Sequence, residues 1–281
     1  MAQSSYNIKD LYYEFNEINK DFNVTDPTGV FFYCSNIILE YFHYGNTSGQ
    51  LKCKDYLEMA SYGLIYLLDN LKKYNLEYDK LAEYAILWLR YKLNQSAGHN
   101  KTSLNDFYTK HIKNNNYYNN KINGDGSPTY KELIDKKKDL MNIQEMTKFS
   151  YPFKLLLLLY DTNKNNSGDC AHLDNAKNFA KEFEELIKIS NKIGSSSYNK
   201  ILYILSDDYN NLKNKCTNFP PLPKIKTPLT TVIPVLSTFS VIPAFLGIAY
   251  KYSLFGVDKL FQRQYIRKKL KKVKKNMKLN I

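Results

Sequence analysis

The chain has 281 residues, of which 43% are hydrophobic and 15% aromatic, and a formal net charge of +13. Most of that charge sits at one end: residues 251–281 hold eleven Lys/Arg against the single acid Asp258, a net +10, while residues 1–250 carry only +3. A nearly neutral N-terminal region argues against a nucleic-acid footprint, and it is long enough for one large core or two small ones.

In chain order, the first ten residues, Met1 to Asp10, show no apolar h-region, so no signal peptide is read there. Helical periodicity then dominates. Leu81, Ala85, Trp88 and Tyr91 fall on one stripe, as do Leu173, Ala176, Ala180, Phe183 and Ile187. Tyr198, Ile201, Leu202, Leu205, Tyr209 and Leu212 form a third, and Thr129 with Glu132 has the spacing of a capping box. Long strand-like alternation is absent. The expected fold is all-α, with helices at about 28–44, 51–73, 77–95, 102–115, 129–148, 150–160, 171–193 and 197–215. Gly45–Gly49, Asn123–Pro128 and Thr162–Asp169 are the predicted breaks.

Residues 1–217 form the predicted helical domain, and the Pro-rich stretch 218–228 reads as a stiff spacer. Leu229 to Tyr250 then runs for 22 positions without a charge. As a helix it spans about 33 Å, enough for a bilayer's hydrocarbon core. Ser and Thr can bond back to a helix backbone, and the prolines Pro234 and Pro243 are tolerated in membrane helices. The basic block after the span places residues 251–281 in the cytoplasm and the N-terminal domain on the far side. Without a signal peptide the span itself must direct translocation. The competitor is a tail-anchored protein with a cytosolic N-terminal domain.

The tail is expected to be a basic amphipathic helix. Ile266, Leu270, Val273 and Met277 share a narrow stripe, and Arg267, Lys268, Lys269, Lys271, Lys272, Lys274 and Lys275 cover the rest. Such a segment can lie on anionic inner-leaflet lipid, each Lys adding about 1 kcal/mol; a merely solvated topogenic signal explains it almost as well. The expected partners are therefore the lipid bilayer and anionic lipid, with no nucleic acid.

Cys34, Cys53, Cys170 and Cys216 all lie in the N-terminal domain. Outside the cytosol an even count reads as two disulfides with three possible connectivities; inside it, as four reduced core thiols. The five Asn-x-Ser/Thr matches, at Asn23, Asn46, Asn94, Asn100 and Asn165, are about what chance gives in so Asn-rich a chain. Catalysis finds no support. His43, His99, His111 and His172 lack metal spacing, and nucleophile-elbow, P-loop and dinucleotide fingerprints are absent. Cys170-Ala-His172 reads more economically as a disulfide cysteine beside a loop histidine than as a nucleophile and base. Neither an enzyme nor a cofactor is expected.

Tyr250-Lys-Tyr-Ser-Leu-Phe-Gly256, followed by the Lys/Arg-rich tail, resembles the membrane-exit signature of the Plasmodium interspersed repeat (PIR) proteins. Further matches run collinearly upstream: Ile86 to Leu93, Asn105 to Tyr108, Tyr130 to Met141, Phe153 to Leu156, and Leu205 to Cys216. The resemblance covers nearly the whole chain. It implies a helical ectodomain, one C-terminal span and a short cytoplasmic tail, exported to the parasitophorous vacuole or infected red-cell membrane without a conventional signal peptide. It also implies a variant surface antigen acting in antigenic variation, immune evasion and, for some members, adhesion, with a host receptor or antibody as partner and no enzymatic activity. The alternative is a membrane scaffold whose basic tail binds lipid or cytoskeleton. Within the resemblance, Cys34–Cys53 and Cys170–Cys216 are the predicted disulfides. Leu64 and Leu157 stand where relatives tend to carry extra cysteines, and are expected to touch in place of a lost bridge.

Overall fold

The computed structural model describes residues 7–22, 32–33, 52–53, 55–162, 170 and 172–225. The chain divides after Lys226 into two units, Met1–Lys226 and Thr227–Ile281, and every described residue lies in the first. The expected membrane span 229–250 and basic tail fall outside the described residues; among those described, no helix is long and apolar enough to cross a membrane.

Among its described residues the first unit is helical apart from a two-residue pairing and an isolated bridge between Lys121 and Thr129. Its six long helices among the described residues are α1 (Ile8–Asp21), α2 (Tyr56–Leu71), α3 (Tyr78–Gln95), α4 (Ser150–Thr162), α5 (Leu173–Ile193) and α6 (Ser196–Lys213). α3 is the central rod. Every residue from Leu81 to Leu93 is buried, so this helix is covered on all sides. It packs against α2 and α4, and α4 in turn packs against α1, α5 and α6.

Local chemistry fixes the helix starts. Asn7 caps α1 by accepting from the Lys9 amide at 3.1 Å, Asp55 caps α2 through the Glu58 amide at 2.8 Å, and Ser195 caps α6 through the Tyr198 amide at 3.2 Å. Gly194, at φ +60°, closes α5 in the left-handed region open to glycine. Gly63 has a different task. A Cβ there would stand 2.8 Å from Phe22 Cζ and 3.0 Å from the Trp88 ring, so the missing side chain lets both aromatics close on α2.

Three features depart from the periodicity. Helix α1 lies where none was assigned, and buries Leu11, Tyr12, Phe15 and Ile18. The helix expected over 28–44 contains an extended pair, Phe32–Tyr33, joined antiparallel to Lys52–Cys53; the rest of that segment lies outside the described residues. The helix expected over 129–148 is three short turns, Tyr130–Asp135, Lys138–Met141 and the 3-10 turn Gln144–Phe149. The capping box at Thr129 and Glu132 is present, but the chain breaks at Lys137, whose side chain turns inward to meet α3.

The Pro-rich stretch expected as a spacer begins on the bundle itself. Phe219 is buried and stacks on Tyr209, with ring centroids 6.2 Å apart, and the Tyr209 hydroxyl donates to the Pro220 carbonyl at 2.8 Å. Leu222 and Ile225 also pack against the core. Leu64 and Leu157 are both buried in that core.

Candidate functional site

Two ends of the bundle can be distinguished by their chemistry. At one end a disulfide joins Cys170 to Cys216, with Cα atoms 5.4 Å apart. It closes a 46-residue separation containing all of α5 and α6, so the two helices form a stapled hairpin. Cys53 lies in the short pairing opposite Phe32; its predicted bond to Cys34 lies outside the described residues. Arg267, Lys268, Lys269, Lys271, Lys272, Lys274 and Lys275 lie outside them as well.

Within the bundle sits a buried polar node that the apolar stripes did not announce. Asp208 on α6 is 1% exposed and accepts from the Tyr12 hydroxyl of α1 at 2.8 Å. It also accepts from the Tyr84 hydroxyl of α3, at 2.9 and 3.0 Å to its two oxygens. The Tyr160 hydroxyl of α4 donates to the Asp208 carbonyl at 2.7 Å, and the Tyr12 and Tyr160 rings stack at 4.2 Å. One residue thus ties four helices. Burial pushes the Asp208 carboxyl up to about 7, while the two tyrosine donors act in the opposite direction.

A second polar group crosses from the irregular segment to α3. Lys137 Nζ donates to Glu83 at 2.8 Å and to Asp79 at 3.0 Å. Burial opposes its charge, but the two carboxylates outweigh it and raise the ammonium above the ordinary lysine range. Lys92 is different. It is buried with its ammonium 4.5 Å from the centre of the Phe22 ring and 3.3 Å from Gln95 Oε1, and burial lowers it to about 7.

The opposite end carries an open cleft of about 490 Å³. Its walls come from the loop after α3 and from the Met141–Thr147 turn. Tyr198, at the start of α6, packs on Phe149 just beyond that turn, with rings 4.5 Å apart. From Tyr198 to Lys213, α6 runs about 22 Å between the side of the cleft and the side of the staple. Arg90 lines the cleft and is only 3% exposed. Its guanidinium donates to the Thr102 carbonyl at 2.7 Å and the Asn100 carbonyl at 3.2 Å, bracing the loop. Burial lowers its pKa, and no charged neighbour offsets that.

Among the described residues no group of three or more His, Cys, Asp or Glu is placed to hold a metal. His99 stacks on Tyr56 and His111 on Phe107, while His172 stands at the N-terminus of α5 with φ +71°. His43 lies outside the described residues. Among the described residues, the exposed large apolar side chains are Tyr13, Tyr151, Leu158 and Tyr203. Tyr151 and Leu158, seven residues apart, share one outward stripe of α4 with Lys154 and Asp161.

Comparison with known proteins gives a consistent result. The chain matches the family model described as Plasmodium variant antigen protein Cir/Yir/Bir over residues 5–251. It is similar to a solved structure described as a Plasmodium PIR protein ectodomain, at 35% sequence identity and a TM-score of 0.57. That match covers 79% of this chain and 98% of the other. No curated protein matches it.

Proposed function

The chain belongs to the Plasmodium Cir/Yir/Bir variant antigen family, and on that premise we propose that it is a variant surface antigen whose helical bundle is displayed outside the cytoplasm of the infected cell. The observation that carries this reading is the family match over residues 5–251, which runs through the bundle and the uncharged stretch 229–250 together. In the proposed topology that stretch is the anchor and the tail from Arg267 to Lys275 lies on the anionic inner leaflet. The membrane is that of the infected red cell or of the parasitophorous vacuole. The role is immune evasion, with antibody or a host receptor meeting the bundle.

Physical chemistry supports this placement. A disulfide closing the α5–α6 hairpin suits an oxidising compartment. The test is staining of intact infected cells with antibody raised against the folded bundle. Bright staining without permeabilisation is the expected result. Staining that appears only after permeabilisation, together with relocalisation when the seven tail cations are changed to Gln, would instead favour the membrane-scaffold reading.

A further inference from the structure

Arg90 is more than a brace for its loop. A guanidinium has five N–H donors, and two are spent on the Thr102 and Asn100 carbonyls. Nε is buried and has no acceptor. No acidic residue lines the cleft, and Lys101 adds a second cation at its wall. Buried charge of one sign is costly unless something pairs with it. The cleft walls also supply side-chain amides from Asn105, Asn142 and Gln144, none of which forms a hydrogen bond of its own among the described residues. Two cations, spare amide donors and no carboxylate make a cleft that lacks a negative partner.

We infer that this cleft is a binding site for an oxyanion group, a carboxylate or a phosphoryl or sulfuryl group, carried by a small polar ligand or an exposed sugar or peptide end. Arg90 supplies the fixed charge at its base, and the Asn142 and Gln144 amides complete the donor set at its rim. The volume, about 490 Å³, admits a ligand of a few heavy-atom groups. One N–H on each Nη remains after the loop carbonyls are served, and either a planar carboxylate or a tetrahedral phosphate can accept from them. The site lies at the end of the bundle remote from the staple. Its existence does not depend on where the chain is displayed.

Sequence composition makes the test clean. Arg90 is one of only three arginines, and the other two, Arg263 and Arg267, are in the tail. The full-length chain, labelled with ¹⁵N-arginine and held in non-ionic micelles, is titrated in turn with phosphate, sulfate and acetate at constant ionic strength. The expected result is a saturable shift of the Arg90 Nε–H resonance, with a Kd on the order of 1 mM for at least one anion. The two tail arginines act as the internal control for non-specific attraction. Saturation with phosphate or sulfate but not acetate assigns the tetrahedral group, and the reverse assigns the carboxylate. Asn142→Glu, at an exposed position, puts a competing carboxylate in the cleft and should weaken binding at least tenfold while Trp88 emission stays native. An Arg90 resonance that does not move, or that drifts without saturation and does so equally in Asn142→Glu, overturns the inference.

Discussion

Asp208→Ala is expected to cost the bundle about 2–5 kcal/mol, because it leaves two buried tyrosine hydroxyls without their acceptor and each such stranded group costs about 1–3 kcal/mol. The loss falls on the contact between α1, α3 and α6, since Tyr12, Tyr84 and Asp208 come from those three helices. Trp88 is the only tryptophan in the chain and is fully buried, so its emission reports unfolding directly. A guanidinium midpoint for Asp208→Ala equal to that of the unsubstituted chain would remove the node from the account of stability.

The same residue sets a pH dependence whose sign can be derived. Folded Asp208 keeps its proton up to about pH 7, whereas an unfolded Asp releases it near 4. The folded state therefore binds more protons across that window. Stability contributed here is complete below about pH 4 and is lost as pH rises towards 7. Lys92 gives the opposite slope on the alkaline side. Its folded amine loses the proton at about 7 and the unfolded one near 10, so stability rises between those values. The two slopes meet close to neutrality, where a stability minimum is expected. Asp208→Asn should flatten the acid limb and leave the alkaline limb in place; an unchanged acid limb contradicts the assignment.

Replacing Cys170 and Cys216 by Ser is the second large effect, at about 4 kcal/mol in the chain-entropy model for a closed loop of this length. The penalty acts mainly by freeing the unfolded α5–α6 segment. The expected readout is a lower guanidinium midpoint for the double variant, and one at least as low for the unsubstituted chain after full reduction. Reduction that leaves the midpoint unchanged would make the staple incidental to stability. Gly194 and the Ser195 cap would then hold the hairpin without it.

Much of the bundle was legible where helices have one wet face. The stripes Leu173 to Ile187 and Tyr198 to Leu212 mark α5 and α6 because charged residues alternate with buried ones. On α3 the stripe was a weaker guide, since Glu83, Arg90 and Lys92 are as buried as the leucines beside them. Periodicity cannot reveal a charged residue that is carried inside the core. Lys136, Lys137 and Lys138 look alike in sequence, yet only Lys137 is buried against Glu83. That inward turn is what breaks the helix expected over 129–148.

Asp208 did leave a trace. It falls seven residues after Ile201 and three after Leu205, on the apolar stripe of α6, while the adjacent Asp207 faces out. An acid on a buried stripe signals a polar partner within the core, and the tyrosines that provide it lie more than a hundred positions away. α1 left a similar signal, an Asn cap followed by Ile8, Leu11, Phe15 and Ile18, obscured by the polar residues between them. The Arg90 cleft could not be read from sequence at all, because its walls come from two loops brought together by the packing of α3 and α4.

The proposed display of the bundle is tested most directly by protease protection on intact infected cells, read on non-reducing and reducing gels. The predicted result is an N-terminal region open to protease and a protected basic tail, with the intact chain running faster before reduction. A protected N-terminal region whose thiols are free would place the bundle in the cytosol on a tail anchor and contradict the surface-antigen reading.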